Sequence, residues 1–316
     1  MNPPRQFFYS VSTLFIIAIL TISAYAQRNV LQAGKAVMWE PVNIRQRNLL
    51  LGPGGSKMRP NLRRVTFIRK ETGGNNLKYR IKDASGRVWV AKIADESQPE
   101  VAAVRLLWGI GYSTEIDYLV PGITIPGKGT FNNVRLEARP ARIDRVGEWS
   151  WDANPFANSD EFHGLRVMMA LINNWDLIDS NNVILKDGNR LRYAISDLGS
   201  SFGKLSFSSK FLLNRIGRSV NDPIDYHNSK FISGIEDGEI DFAYKGKRAG
   251  LMNGITPRHG LWLSKLLRQL SDRQIGDAFR AANYSPSEVQ ILTAATKRRI
   301  TELDRVSRLG TTAQLK

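Results

Sequence analysis

The chain has 316 residues, 42% of them apolar, and its 45 lysines and arginines exceed its 29 acidic residues to give a formal net charge of +16. This length and apolar content allow a sizeable buried core, which excludes a mostly disordered protein. The absence of cysteine excludes disulfides and thiolate chemistry, and three scattered histidines do not indicate a metal site, so any metal is expected to be a hard cation on oxygen ligands.

Residues 1–26 have the order of parts of a secretory signal peptide. Arg5 precedes an apolar run that ends in an A-x-A pattern at Ala24–Ala26. An uncleaved N-terminal anchor is the alternative, because the run from Phe7 to Ala26 approaches the roughly 20 residues that a bilayer span needs. Both interpretations predict an exported protein that is periplasmic, envelope-associated or secreted.

The positive charge predicts attraction to anionic surfaces such as those of the cell envelope. The basic residues are spread along the chain, and no nucleic-acid recognition motif or aromatic-interleaved basic cluster is present. Nucleic acid is therefore not an expected partner, whereas an anionic envelope surface is a candidate partner.

Residues 27–63 are interpreted as an N-terminal extension. The stretch LLLGPGGSKMRP contains Gly52, Gly54, Gly55 and Lys57, which invite comparison with a phosphate-binding loop. The order G-x-x-x-x-G-K-[ST] is missing, and no strand-then-helix context surrounds the stretch. It is therefore predicted to be a Gly/Pro loop.

Residues 64–138 predict a small, sheet-rich first lobe. The runs RVTFIRK, LKYRIK and RVWVAKI are rich in β-branched and aromatic residues and are separated by turns with glycine, which predicts a three-stranded antiparallel meander. The third run carries Lys92, and a helix follows with Ser97 as its cap and Glu100 in its first turn. Two more strands are predicted in DYLVPGITI and TFNNVRLEA, and the stretch after Arg139 reads as irregular.

Residues 139–310 predict a larger, mainly helical second lobe. Ser159 caps a helix over DEFHGLRVMMALINN, the polar loop NWDLIDSNN follows it, and a short hairpin then leads to Asp197. Further helices are predicted in RHGLWLSKLLRQL, DRQIGDAFRAA and PSEVQILTAATKRRITELDRV, and IDFAYKGKRAGL is predicted as an added hairpin with an exposed basic turn. The expected fold class is α+β with two lobes, and residues 311–316 are expected to form a disordered tail.

The order of these parts suits phosphoryl transfer. Lys92 can meet the phosphates of a nucleotide while Glu100 holds the lysine in place. The side-chain oxygens of Asn181 and Asp197 can ligate a divalent ion that bridges the phosphates. Asp176 is the candidate for orienting the acceptor hydroxyl and accepting its proton, and it lies five positions before Asn181, as in the kinase loop H-R-D-x-x-x-x-N.

Residues 66–204 resemble the atypical branch of the kinase superfamily, which includes phosphoinositide kinases, HipA-type bacterial kinases and secretory-pathway Golgi kinases. The resemblance rests on the loop DLIDSN, on the apolar residues after it and on the hairpin that leads to ISDLG. It implies a bilobal protein-kinase-like fold that uses ATP with Mg²⁺ or Mn²⁺. The roles that it implies are the β3 lysine for Lys92, its helix partner for Glu100, the catalytic aspartate for Asp176, metal ligands for Asn181 and Asp197, and phosphate contacts for Gly73, Gly74 and Lys78.

Three of these roles have a rival residue nearby. The rivals are Glu96 for Glu100, Asn182 for Asn181, and Asp179, which could serve as the metal ligand or the base instead of Asp176. The turn at Gly73 and Gly74 is also shorter than the G-x-G-x-x-G loop of protein kinases. The three histidines are assigned to structure or solvent: His163, His227 and His259. Three tryptophans are expected to pack at the junction of the lobes rather than to stack on a ligand: Trp149, Trp151 and Trp175.

These features predict an exported, kinase-like phosphotransferase that moves the γ-phosphoryl group of ATP to a hydroxyl of a protein, a lipid or a sugar. The alternative is an exported pseudokinase or binding module that presents a basic surface to an envelope polymer or a partner protein. The presence of Asn181 and Asp197 together with Lys92 favours catalysis, because a pseudokinase tolerates the loss of these residues.

Overall fold

The computed structural model describes residues 34–205 and 218–314, so the predicted signal peptide lies outside the described residues. The strands are β1 (Lys35–Val37), β2 (Thr66–Glu71), β3 (Leu77–Lys82), β4 (Val88–Ile93), β5 (Asp117–Ile125), β6 (Gly129–Ala138), β7 (Ile143–Gly147), β8 (Asn182–Asp187), β9 (Arg190–Ile195), β10 (Ile232–Glu236) and β11 (Glu239–Phe242). The helices are α1 (Ser97–Gly109), α2 (Asp160–Leu171), α3 (Pro223–Asn228), α4 (Pro257–Leu267), α5 (Asp272–Ala281) and α6 (Pro286–Gln314). Short 3₁₀ turns lie at Ile44–Gln46, Ser56–Met58, Asp179–Asn181 and Ala249–Met252.

The first lobe is a five-stranded antiparallel sheet in the order β2-β3-β4-β6-β5, and α1 packs against β5 and β6. The predicted meander of β2, β3 and β4 is confirmed, and its register places Lys78 opposite Lys92. On the other side of β4, Lys92 lies opposite Arg135 of β6. Because directly opposite residues share one face of a sheet, three cationic side chains lie side by side there.

The alternation of β4 directs Lys92 away from the core of the first lobe. Trp89 and Ala91 of the same strand are fully buried in that core, together with Leu136. Successive side chains of a strand point to opposite faces. Lys92 therefore lies on the other face, beside α1, where the acidic residues of the helix can reach it.

The second lobe contains a four-stranded sheet in the order β1-β9-β8-β7. The hairpin of β8 and β9 is antiparallel, as predicted, and Asp197 follows two residues after its end. β1, from the segment predicted as an extension, pairs in parallel with β9, and a bridge joins Trp39 to Tyr112 just after α1. The segment before β2 therefore contacts both lobes.

Strand β7 lies in the stretch that the sequence predicted to be irregular. It pairs antiparallel with β8, with a register shift between Arg145 and Gly147. Its sequence, IDRVG, contains only two β-branched residues and no clean alternation. The strand forms because β8 offers it a partner, which is a tertiary effect that local propensity does not reveal.

The long helix α6 packs against α3, α4 and α5 in the core of the second lobe. The predicted capping box at its start is confirmed by reciprocal hydrogen bonds between Ser285 and Glu288. The helix continues to Gln314, so residues 311–314 are helical, and the prediction of a disordered tail is wrong for them. In this last part of the helix, the Thr311 hydroxyl donates to the Ser307 carbonyl at 2.8 Å, a contact that threonines commonly make inside helices.

The sheet-rich first lobe and the mainly helical second lobe confirm the predicted α+β class. Within residues 34–205 and 218–314, no helix has the length and apolar character required to cross a membrane.

Two of the three histidines stack on each other between α2 and α4. The ring centres of His163 and His259 are 3.9 Å apart. His259 Nδ1 accepts a hydrogen bond from the Thr256 N–H at 3.1 Å. Burial, together with the charge of His163, lowers the pKa of His259 to about 4. These contacts therefore favour the neutral form of His259 in the folded protein.

Lowering the pH from 7 to 5 is therefore expected to destabilise the protein through His259. An unfolded histidine has a pKa of about 6.5. The stability that the folded protein gains by keeping His259 neutral is therefore complete above that pH and is lost as the pH falls towards the folded-state pKa. His259→Gln, whose amide can still accept at this capping position, should lose less of its Tm between pH 7 and pH 5 than the wild type. Equal losses in the two proteins would contradict this prediction.

Candidate active site

Lys92 joins the two lobes through a group of carboxylates. Its Nζ lies 3.0 Å from Glu100 Oε2 and 3.0 Å from Glu96 Oε2, both on or next to the first turn of α1. The same nitrogen lies 3.2 Å from Asp197 Oδ1 of the second lobe. The structure therefore brings together Lys92, Glu100 and Asp197, whose functional roles remain predictions.

The electrostatics of this group keep Lys92 and Asp197 charged. Lys92 is 1% exposed, and although burial acts against its charged form, Glu100 and Asp197 raise its pKa above the ordinary value. Burial likewise opposes ionisation of Asp197, but Lys92, Arg135 and the Gly199 N–H, which donates at 3.1 Å, hold its pKa below the ordinary value. The pair is therefore an ionised lysine–carboxylate contact.

Arg135 is a component of the site that sequence reasoning missed. Its guanidinium forms an ion pair with Glu100 and donates to Glu137 Oε2 at 3.0 Å. Burial raises the pKa of Glu100 above its usual value, while Arg135 and Lys92 counteract this effect. Glu100 therefore lies between two cations, Lys92 and Arg135, which are neighbours across β4 and β6.

Glu96, the rival of Glu100, lies closer to solvent at the rim of the same group. Its side chain is 28% exposed, compared with 1% for Glu100, and it accepts a hydrogen bond from Asn76 Nδ2 at 2.6 Å. A Cβ at Gly199 would lie only 2.5 Å from the Cβ of Glu96. Gly199, two residues after Asp197, thus allows the second lobe to approach the start of α1. Glu100 is the buried partner of Lys92, and Glu96 is a second, more accessible partner.

The glycine turn lies between β2 and β3, above Lys78. Gly74 has a φ of +74°, and Lys78 Nζ donates to the Gly73 carbonyl at 3.3 Å. Burial and the neighbouring Lys92 lower the pKa of Lys78. Lys78 and Lys92 therefore form a pair of positive charges, and an anionic group such as a phosphate would reduce the repulsion between them.

Hydrogen bonds connect Asp176 to Asn181 across the polar loop and Asn181 to the backbone of Asp197. Asn181 Nδ2 donates to the backbone oxygen of Asp176 at 2.9 Å and to its Oδ2 at 3.2 Å. The backbone oxygen of Asn181 accepts from Ser196 N at 2.7 Å and from Asp197 N at 3.3 Å. The residues that the sequence singled out in the loop and at the hairpin end are therefore connected directly.

The rival residues in this loop have structural partners. Asn182 is 1% exposed and donates to the Trp149 carbonyl at 2.9 Å. Asp179 accepts from the Trp151 N–H at 3.1 Å and pairs with Arg248 at 3.1 Å. Both side chains thus anchor the loop to the buried tryptophan segment, which leaves Asp176 and Asn181 as the candidates for chemistry.

Asn181 and Asp197 fit the ligands of a divalent cation. Since Asn181 uses its amide nitrogen for Asp176, its amide oxygen is left without a protein partner among the described residues. Mg²⁺ commonly takes one or two protein oxygens and completes its shell with water and substrate phosphates. Within residues 34–205 and 218–314, no group of three or more acidic or histidine side chains could hold a metal. Asn181 and Asp197 therefore offer oxygens of the kind that such a cation takes, and their role as its ligands remains a prediction.

Lys247 is a second residue that the sequence did not assign to the site. It forms an ion pair with Asp176 Oδ1, and its backbone N–H donates to the Trp175 carbonyl at 2.7 Å. Its ammonium lies 5.7 Å from the centre of the Trp175 ring. The basic turn after β11 therefore contacts the candidate base. Lys247 lies too far from Asp176 in the sequence for a spacing pattern to predict their contact.

Comparison with known proteins finds distant structural similarities. No protein-family model matches the chain, and no curated protein matches it. Among solved structures, the proinflammatory kinase CtkA of Helicobacter pylori is 10% identical, with 76% of this chain and 92% of that chain covered and a TM-score of 0.46. A Golgi casein kinase is 8% identical, with 99% of this chain and 94% of that chain covered and a TM-score of 0.43. Both TM-scores are below 0.5, so the functional interpretation rests on the geometry of the site.

Proposed function

We propose that this chain is an atypical, kinase-like phosphotransferase that moves the γ-phosphoryl group of ATP to a hydroxyl acceptor with Mg²⁺ or Mn²⁺. One observation carries the proposal: Lys92 contacts Glu100 of its own lobe and Asp197 of the other lobe at the same time. Phosphoryl transfer by kinases needs both the lysine–glutamate pair and the metal-binding aspartate in place. The contacts of Lys92 support the proposal because they bring the candidates for these roles together.

Each residue of the site has a task that its contacts support. Lys92 and Lys78 would bind phosphate oxygens, and Asn181 and Asp197 would hold the cation that neutralises their charge. Asp176, fixed by Asn181 on one oxygen, would orient the acceptor hydroxyl and accept its proton. The protein would thus accelerate the reaction mainly by positioning and by electrostatic stabilisation.

The proposed setting of this activity rests on the N-terminal sequence. We propose that the protein works outside the cytoplasm, because residues 1–26 have the parts of a signal peptide or an anchor. The acceptor is proposed as a hydroxyl group only, since hydroxyls of proteins, lipids and sugars all require the same donor site.

Thermal unfolding of the purified protein with ATP tests the proposal. ATP at about 100 times its Kd, with Mn²⁺ or Mg²⁺, should add roughly 2.7 kcal/mol of stability. For a domain of this size the Tm should rise by about 5 °C. No shift with saturating ATP and cation would contradict the nucleotide site and leave the binding module as the better explanation.

Lys247→Met is expected to lower the rate of ADP formation about tenfold while the affinity for Mn²⁺-ATP stays unchanged. The reason is that Asp176 loses its ion-pair partner but keeps Asn181. Lys245→Met is the matched control, because Lys245 belongs to the same turn, is exposed and forms no ion pair within the described residues. A similar effect of both substitutions on the rate would contradict a specific role for Lys247.

A further inference from the structure

Arg105 of α1 is a buried cation, two of whose nitrogens have no hydrogen-bond partner among the described residues. It is 1% exposed, and its Nε and Nη1 donate to no atom of the described residues. Asp117, the acid that acts on it most strongly, instead lies 3.9 Å from Arg135. Burial lowers the pKa of Arg105 to about 10, although Asp117 opposes this effect. Buried charged donors that make no hydrogen bond are costly even with an acid nearby, so this position favours the presence of a further anionic acceptor.

Arg105 lines a cavity of 310 Å³ between α1, β5, α5 and the loop that precedes β2. Arg59 and Arg280 also line the cavity, and no acidic residue does. Arg280 shares its charge with Asp277 of its own helix, at 2.8 Å. The other walls are mainly apolar, and the volume is that of a small ligand site.

The groups around Arg105 fix its position without giving it an acceptor. Gly52 has a φ of +68°, and a Cβ there would lie 1.7 Å from Arg105 Nη1, so only glycine allows the backbone this close. The Tyr118 ring lies 5.2 Å from the guanidinium carbon, and the Tyr118 hydroxyl already donates to the Gly55 carbonyl at 2.6 Å. The guanidinium is therefore held in place with donors unused.

We propose that this cavity, the α1 arginine pocket lined by Arg59, Arg105 and Arg280, binds a small organic molecule through its phosphate or carboxylate group. Guanidinium groups match the geometry of such oxyanions, and the apolar walls suit an organic remainder.

The pocket is separate from the candidate active site, yet the two share a helix. Arg105 lies five residues after Glu100, which is roughly 140° around the helix. Glu100 faces Lys92, whereas Arg105 faces the pocket. A bound anion would therefore restrain the helix that carries Glu100, and this gives the pocket a route to influence the active site.

Isothermal titration calorimetry of the purified protein with inorganic phosphate, phenyl phosphate and benzoate tests the proposal. We expect phenyl phosphate or benzoate to bind more tightly than inorganic phosphate, because the ring covers the apolar walls. The tighter of the two identifies the oxyanion. Arg105→Met should abolish this binding, and Arg59→Ala and Arg280→Ala should each weaken it about threefold or more.

Two control variants separate the pocket from other anion sites. Arg273→Ala, on the same helix as Arg280 and 89% exposed, should bind like the wild type. Lys78→Met should also bind like the wild type, because Lys78 lies in the candidate active site. If Arg105→Met does not fold, weaker binding by the Arg59→Ala and Arg280→Ala variants tests whether the anion binds in this pocket. No binding by the wild type, or binding lost in Lys78→Met and kept in the arginine variants, would overturn the proposal.

Discussion

Asp197→Ala is expected to abolish the stabilisation that ATP gives in the presence of Mn²⁺ or Mg²⁺. The substitution removes the carboxylate of the proposed cation site and leaves only the neutral amide of Asn181. A hard cation depends on such a charged oxygen ligand. The shift of about 5 °C expected for the wild type should therefore fall to the value seen with ATP alone. Thermal unfolding over a series of ATP concentrations, with and without the cation, measures this difference.

The Asp197→Ala protein should still fold, which makes the comparison informative. Lys92 keeps its contacts with Glu96 and Glu100, so its buried charge is not left unpaired. Asp187→Ala is the matched control, since Asp187 ends β8 in the same hairpin and pairs only loosely, at 4.0 Å, with the exposed Arg142. If Asp197→Ala kept the full cation-dependent shift, the assignment of Asp197 as a metal ligand would be wrong.

The parts of the fold that could be predicted from the sequence are those whose signals are local. The meander that carries Lys92 is defined by alternation and by glycine turns within one short stretch, and Glu100 lies within nine residues of that lysine. The spacing of Asp176 and Asn181 is equally short. In each case the backbone geometry of one or two neighbouring elements determines which side chains meet.

The contacts that escaped prediction join residues far apart in the chain. Arg135 reaches Glu100 because β6 pairs with β4, and Lys247 reaches Asp176 because the turn after β11 lies against the loop. Neither pairing leaves a periodic pattern in the sequence. The strand β7 escaped for the same reason.

Adjacent rivals could not be separated from sequence, because burial distinguishes them. Asn181 and Asn182 are chemically identical neighbours, yet Asn182 turns inward to the Trp149 carbonyl while Asn181 meets Asp176. Glu96 and Glu100 both reach Lys92, and only the packing of α1 makes Glu100 the buried one. Such choices depend on the orientation of a helix or turn against the rest of the fold.

Asp176→Asn is expected to slow phosphoryl transfer strongly while leaving the binding of ATP and cation intact. The amide has nearly the shape of the carboxylate, so it can still accept from Asn181, but it cannot accept a proton from a hydroxyl. Loss of a general base typically costs about 10²- to 10⁴-fold in rate. We therefore expect a fall of that size in kcat for ADP formation, with an unchanged KM for ATP and an unchanged thermal shift. This combination distinguishes a residue that acts on the acceptor from one that holds the nucleotide.

Asp179→Asn provides the decisive comparison for Asp176. Its carboxylate holds the loop through the Trp151 N–H and Arg248, so the change should lower the Tm modestly and reduce kcat less than Asp176→Asn does. If instead Asp179→Asn lost turnover with ATP binding intact while Asp176→Asn stayed active, Asp179 would be the base. The contact of Lys247 with Asp176 would then be a structural ion pair only, because its partner would have no role in proton transfer.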